Sequence, residues 1–67
     1  MKYIEVTTAR GKSILINIDQ IITVSTTTEE DKENGKFCEI LLNNNGICKV
    51  KNTYGYVCCA IDEANEK

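Results

Sequence analysis

The stretch that most constrains this chain is Lys36 to Lys51, KFCEILLNNNGICKVK, in which two short apolar runs flank Asn43-Asn44-Asn45-Gly46. The pattern reads as a β-hairpin, with Gly46 supplying the positive φ that a tight turn needs. A loop of Asn44 to Gly46, a type I turn closed by a glycine bulge, sets Leu42 against Cys48, Ile40 against Val50 and Cys38 against Asn52. Leu41 then lies opposite Lys49, and Glu39 lies opposite Lys51 as an opposite-charge cross-strand pair. A two-residue loop would set Ile40 and Leu42 against lysines, because a one-residue slip exchanges the faces of a strand. The three-residue loop keeps one buried face and leaves a second face that is only partly polar.

An earlier stretch repeats the device. KYIEVTT (2–8) and KSILINI (12–18) alternate and are rich in β-branched residues, with Ala9-Arg10-Gly11 between them. Glycine again closes the loop, so Val6 faces Ile14 and Ile4 faces Ile16. Ile4, Val6, Ile14, Ile16 and Ile18 share one face, and Tyr3, Glu5, Thr7, Ser13, Leu15 and Asn17 share the other. Asp19-Gln20 is a short corner into a strand from Ile21 to about Thr27, with Ile22 and Val24 on one face and Ile21 and Thr23 on the other. Residues 28–35 (TEEDKENG) read as a long, mobile, acidic loop that guards the sheet end against strand pairing.

Beyond the second hairpin, Tyr54, Val57, Cys58, Ile61 and Ala64 follow helical spacing behind an N-cap at Asn52 or Thr53. Gly55 weakens this helix, and Asp62, Glu63 and Glu66 oppose its dipole, so residues 62–67 are expected to fray. The fold class is α+β: a small antiparallel β-sheet of about five strands, with two Gly-turn hairpins and one C-terminal helix on its inner face.

A chain of 67 residues is one small domain, 1–67. At this size folding buries only about 60% of the surface of the unfolded chain, and such domains lean on disulfides, a metal or self-association. No apolar run approaches the ~18 residues of a membrane span. Met1-Lys2-Tyr3-Ile4-Glu5 does not resemble a signal peptide, so a cytoplasmic protein with reduced thiols and no membrane partner is expected.

The side chains bound the chemistry. There is no histidine among the 67 residues, so a Cys-His or Ser-His pair cannot form. The four cysteines include no CxxC, and Cys58-Cys59, adjacent on a helix, point their thiols apart. They read as apolar filler, with no catalytic residue, metal or cofactor expected. Four carboxylates against Lys32 make 28–35 acidic, while Arg10, Lys12, Lys36, Lys49 and Lys51 make the sheet body mildly basic. Topology puts the acidic loop at the same sheet end as Arg10 and Lys12, where it repels phosphate. With a pI near 5.0, nucleic acid is disfavoured as a partner.

The outer face is the sharper lead. Parity places Tyr3, Leu15, Phe37, Leu41 and Ile47 on it, and one helix covers only the other side of a sheet. A contiguous apolar group of this kind marks an interface. The first expectation is therefore a non-enzymatic, homo-oligomeric interaction module, with itself as partner. The second is a phage or mobile-element accessory protein that inhibits a host protein or sequesters a small anionic ligand between subunits. Arg10, Lys49, Tyr54 and Tyr56 are the candidate ligand-binding residues of that reading. A nucleic-acid-binding regulator is the third.

The succession Asn17-Ile18-Asp19-Gln20-Ile21, then Val24, the Ile40-x-Leu42 strand, Asn45-Gly46, Val50 and a helix carrying Val57 and Ile61 resembles the small FlbD-like flagellar proteins. The resemblance covers most of the chain and implies a small β-rich bacterial or phage-type protein. It assigns no functional residue, and Tyr54-Gly55-Tyr56 stands where such sequences commonly place glutamate.

Overall fold

In the computed structural model, which describes residues 2–66, strands β1 (Tyr3–Thr7) and β2 (Ser13–Asn17) form the first hairpin. Their register sets Val6 against Ile14 and Ile4 against Ile16, as the alternation predicts. The Thr8 N–H donates to the Lys12 carbonyl and the Gly11 N–H to the Thr8 carbonyl, both at 2.8 Å. Gly11 adopts φ 88°, a region that costs a residue with a Cβ dearly.

Among the described residues there are five strands, but as two antiparallel sheets rather than one. β1 and β2 make the first, and β3 (Ile21–Thr26), β4 (Cys38–Leu42) and β5 (Ile47–Val50) make the second in the order β3-β4-β5. The division begins at the corner. Ile18–Gln20 is a 3-10 turn capped by Asn17, whose Oδ1 accepts the Asp19 N–H at 2.9 Å. This turn swings the chain off the first sheet before β3 begins. The sheets rejoin at one point, where Thr8 bridges Val50 and the Lys51 N–H donates to the Thr7 carbonyl at 2.8 Å.

The second hairpin differs from its expected register. Cys38 faces Val50, Glu39 faces Lys49, Ile40 faces Cys48 and Leu41 faces Ile47. Each expected partner is displaced by two residues because Asn45, not Gly46, takes the left-handed conformation, at φ 66°. The turn is therefore Asn43 to Asn45, closed by the Leu42 N–H on the Gly46 carbonyl at 2.8 Å. A two-residue displacement preserves the faces. Cys38, Ile40 and Val50 still point inward, and Glu39 still meets a lysine.

β3 carries a second correction. Its pairing with β4 is irregular between Ile21 and Thr23, so the alternation breaks there. Ile21 and Val24 both pack against the core, and Ile22, expected beside Val24, is 59% exposed. An extra residue in one strand re-aims its neighbours in this way.

Residues 28–35, expected as a structureless acidic connection, contain helix α1 (Glu29–Glu33). Thr28 caps it by accepting the Asp31 N–H at 3.1 Å, and Glu29, Glu30 and Asp31 favour the positive end of the dipole. Gly35, at φ 80°, ends it. Its N–H donates to the Lys32 carbonyl at 3.1 Å and the Lys36 N–H to the Asp31 carbonyl at 2.8 Å, a Schellman closure.

Helix α2 (Tyr54–Asn65) is capped by Thr53, whose Oγ1 accepts the Tyr56 N–H at 3.2 Å. Asn52, the alternative cap, is used elsewhere: its Oδ1 accepts the Thr7 N–H at 2.6 Å and ties the start of α2 to β1. Val57 is fully buried, and Ala60, Ile61 and Ala64 pack around it. Tyr54, expected on this face, is exposed, and Ala60 fills the covering stripe instead. The core thus lies between both sheets and α2, with Ile4, Val6 and Ile16 from the first sheet against Cys38, Ile40 and Val50 from the second.

Candidate functional site

The inner faces of both sheets are spent on the core, so the functional surface must come from outer faces, edges and grooves. The outer positions divide with the sheets. Tyr3 and Leu15 lie on the first, diagonal to one another across the pair, at 48% and 67% exposure. Leu41 and Ile47 lie directly opposite each other on the second, Leu41 half-buried and Ile47 61% exposed. Phe37 precedes β4 and donates its N–H to the Val50 carbonyl at 2.8 Å, with its ring exposed. The single flat face expected of these five residues is thus two apolar faces. Ile22, turned outward by the irregularity in β3, is a surface apolar residue that parity counting missed.

Helix α1 bears on the second outer face. The Lys49 Nζ donates to the Asp31 carboxylate at 2.9 Å, an ion pair spanning from β5 to α1. The hydrogen bond to Lys49 holds the Asp31 carboxyl below its ordinary range, and the same bond raises Lys49. The acidic segment therefore sits against the sheet and occupies a residue nominated for anion binding.

Arg10, Tyr54 and Tyr56, the other nominated ligand residues, line neither of the two grooves described below. Arg10 is exposed in the β1–β2 turn, next to the point where Thr8 meets Val50. Tyr54 and Tyr56 are exposed in the first turn of α2, and the Tyr56 hydroxyl donates to the Glu5 carbonyl at 3.3 Å. Hydrogen bonding to Cys58 one turn on raises the Tyr54 phenol. Two grooves open elsewhere. One, of about 360 Å³, lies between β1 and α2 and is lined by Lys2, Tyr3, Ile4, Glu5, Ala60, Glu63 and Ala64. The second, of about 290 Å³, separates β2 from the tip of the β4–β5 hairpin and has a neutral lining of Ile14, Leu15, Ile16, Asn17, Gln20, Leu42, Asn44 and Cys48.

The cysteines are all unpaired. Burial pushes the Cys38 thiol up, with Cys58, Cys48 and Glu39 adding to the effect, and burial also raises Cys48. Both stay thiols at neutral pH and are poor nucleophiles. Among the described residues, no three His, Cys, Asp or Glu side chains gather into a set able to hold a metal ion. Nor is any helix among them long and apolar enough to cross a membrane.

Backbone groups supply a feature that side-chain patterns did not reveal. The Ile18 N–H donates to the Lys2 carbonyl and the Thr8 N–H to the Lys12 carbonyl. In an antiparallel pair bonded positions alternate, so even-numbered residues bond within the hairpin and odd-numbered ones face the outer edges. The outer edge of β1 is engaged: Thr7 bonds Asn52 and Lys51, and Glu5 accepts from Tyr56. Among the described residues no strand pairs with the outer edge of β2. Compared with known proteins, the chain matches no family model, no curated protein and no solved structure, so the likeness to FlbD-like proteins rests on its motif residues alone.

Proposed function

We propose that this protein is a non-enzymatic, homo-oligomeric interaction module that works through its apolar outer sheet surface in the cytoplasm, where its thiols stay reduced. The observation that carries the reading is the exposure of Leu15, Ile47 and Tyr3 on strands whose inner faces already form the core. Large apolar side chains exposed on these two outer faces favour contact with another apolar surface over water. Native mass spectrometry of the reduced protein across a dilution series tests it. A defined oligomer at the higher concentrations is expected, and a monomer throughout overturns the reading.

A second reading is sequestration of a small ligand by a phage or mobile-element accessory protein. The open grooves favour it, since the larger reaches the volume of small-molecule sites. The same spectrum separates the two, because a retained ligand adds mass to the protein.

A further inference from the structure

We infer that the second copy joins along the free edge of β2, as an antiparallel pair about a two-fold axis at Leu15, making a continuous four-stranded sheet from two hairpins. This rests on the homo-oligomer reading and gives it a register. The hydrogen-bond phase of the first hairpin leaves the N–H and C=O of Leu15 pointing away from β1. Across a two-fold axis at this residue, Leu15 exchanges both backbone bonds with its own counterpart. Ile14 then lies opposite Ile16 of the second copy on the inner face, where Ile14 is only half-buried. On the outer face the two Leu15 side chains, each 67% exposed, become neighbours.

Charge fits the same register. Arg10 and Lys12, which precede β2, and Asp19, which follows it, are brought from opposite copies to the same end of the pair. All three are exposed, and no like charges are brought opposite. The edges themselves also differ. Of the two outer strands of the other sheet, β3 carries an irregularity at Ile21–Thr23 that disrupts pairing, and β5 is engaged at its end by Thr7 and Thr8. β2, reading Ser-Ile-Leu-Ile-Asn, has no bulge, proline or inward charge to deter a neighbouring strand.

The test is Leu15→Pro beside Leu41→Lys, with oligomeric state read by sedimentation and the fold by circular dichroism. Proline at residue 15 removes an N–H that the hairpin does not use, a position at which edge strands accept it. Loss of the two central backbone bonds is expected to weaken the dimer on the order of 30-fold or more. Leu41→Lys, on the other sheet, is expected to leave it intact. Hydrogen exchange on the unaltered protein gives an independent reading should Leu15→Pro not fold: the Leu15 amide slows as concentration rises. A dimer that survives Leu15→Pro and breaks with Leu41→Lys, or a Leu15 amide that exchanges equally fast in the dimer, overturns the β2 edge and leaves the oligomer reading standing. A wild-type chain that stays monomeric overturns both.

Discussion

At the scale of single residues, the least expected contact is Asp31 with Lys49, which ties α1 to the second sheet. The directions of the two shifts define where it acts. The Asp31 carboxyl is held below 3.8 by its bond to Lys49, so its contribution is present above that value and is lost as pH falls through the lowered folded value. Lys49 is held above 10.5 by the same bond, so its contribution is present below that value and is lost as pH rises through the raised one. The tether is therefore complete at neutral pH and fails at both extremes. Hydrogen exchange at Gly35 and Lys36, whose amides close α1, should quicken on acidification beyond the intrinsic change with pH, and Asp31→Asn should show the quickening already at neutral pH. Equal protection in Asp31→Asn and the parent would mean that the backbone closure alone holds the helix. Salt should act in the same direction as acid, since both partners are partly open to solvent.

At the scale of elements, α2 is a helix with a weak first turn. Gly55 lies in that turn, an added Cβ there would meet nothing within 4 Å, and its φ is not positive. Gly55→Ala should therefore stabilise the fold by about 0.5–1 kcal/mol, read as a higher urea midpoint at unchanged slope. A lower midpoint would mean that the turn is distorted away from helical geometry. The elements also show what local pattern can encode. The first hairpin was legible to the residue, because its loop offers one glycine and the strands alternate strictly. The second offered Asn44, Asn45 and Gly46 as competing left-handed positions, and Asn45 prevailed, yet the inward faces were read correctly because the displacement was even. Helix α1 lacks apolar periodicity, so 28–35 reads as a loop, although Thr28 three residues before Asp31 and Gly35 at the end are ordinary start and stop signals. The outward positions Leu15, Leu41 and Ile47 follow from parity alone. The free edge of β2 does not, since it depends on β3 leaving the first sheet and on β5 meeting β1 at Thr8, contacts that no neighbouring residues specify.

At the scale of the whole molecule, neither sheet is self-sufficient. The first is a two-stranded hairpin, an arrangement of marginal stability in water until something covers a face. It gains that cover from the second sheet and α2 through a core whose buried residues are Ile4, Val6, Ile16, Cys38, Ile40, Val50 and Val57. A core this small leaves folding close to balance, so any surface shared with a second copy becomes part of what holds the chain folded. Thermal unfolding should then depend on concentration. If dimer dissociation and unfolding occur together, each tenfold rise in protein adds about 1.4 kcal/mol to the dimer. With an unfolding entropy typical of two such chains, the midpoint rises by about 5 °C per tenfold. A melting series by circular dichroism over a hundredfold range of concentration measures this directly. A midpoint that climbs in the parent and stays level in Leu15→Pro would join stability to the β2 edge, whereas a level midpoint in both would show that each chain stands on its own core.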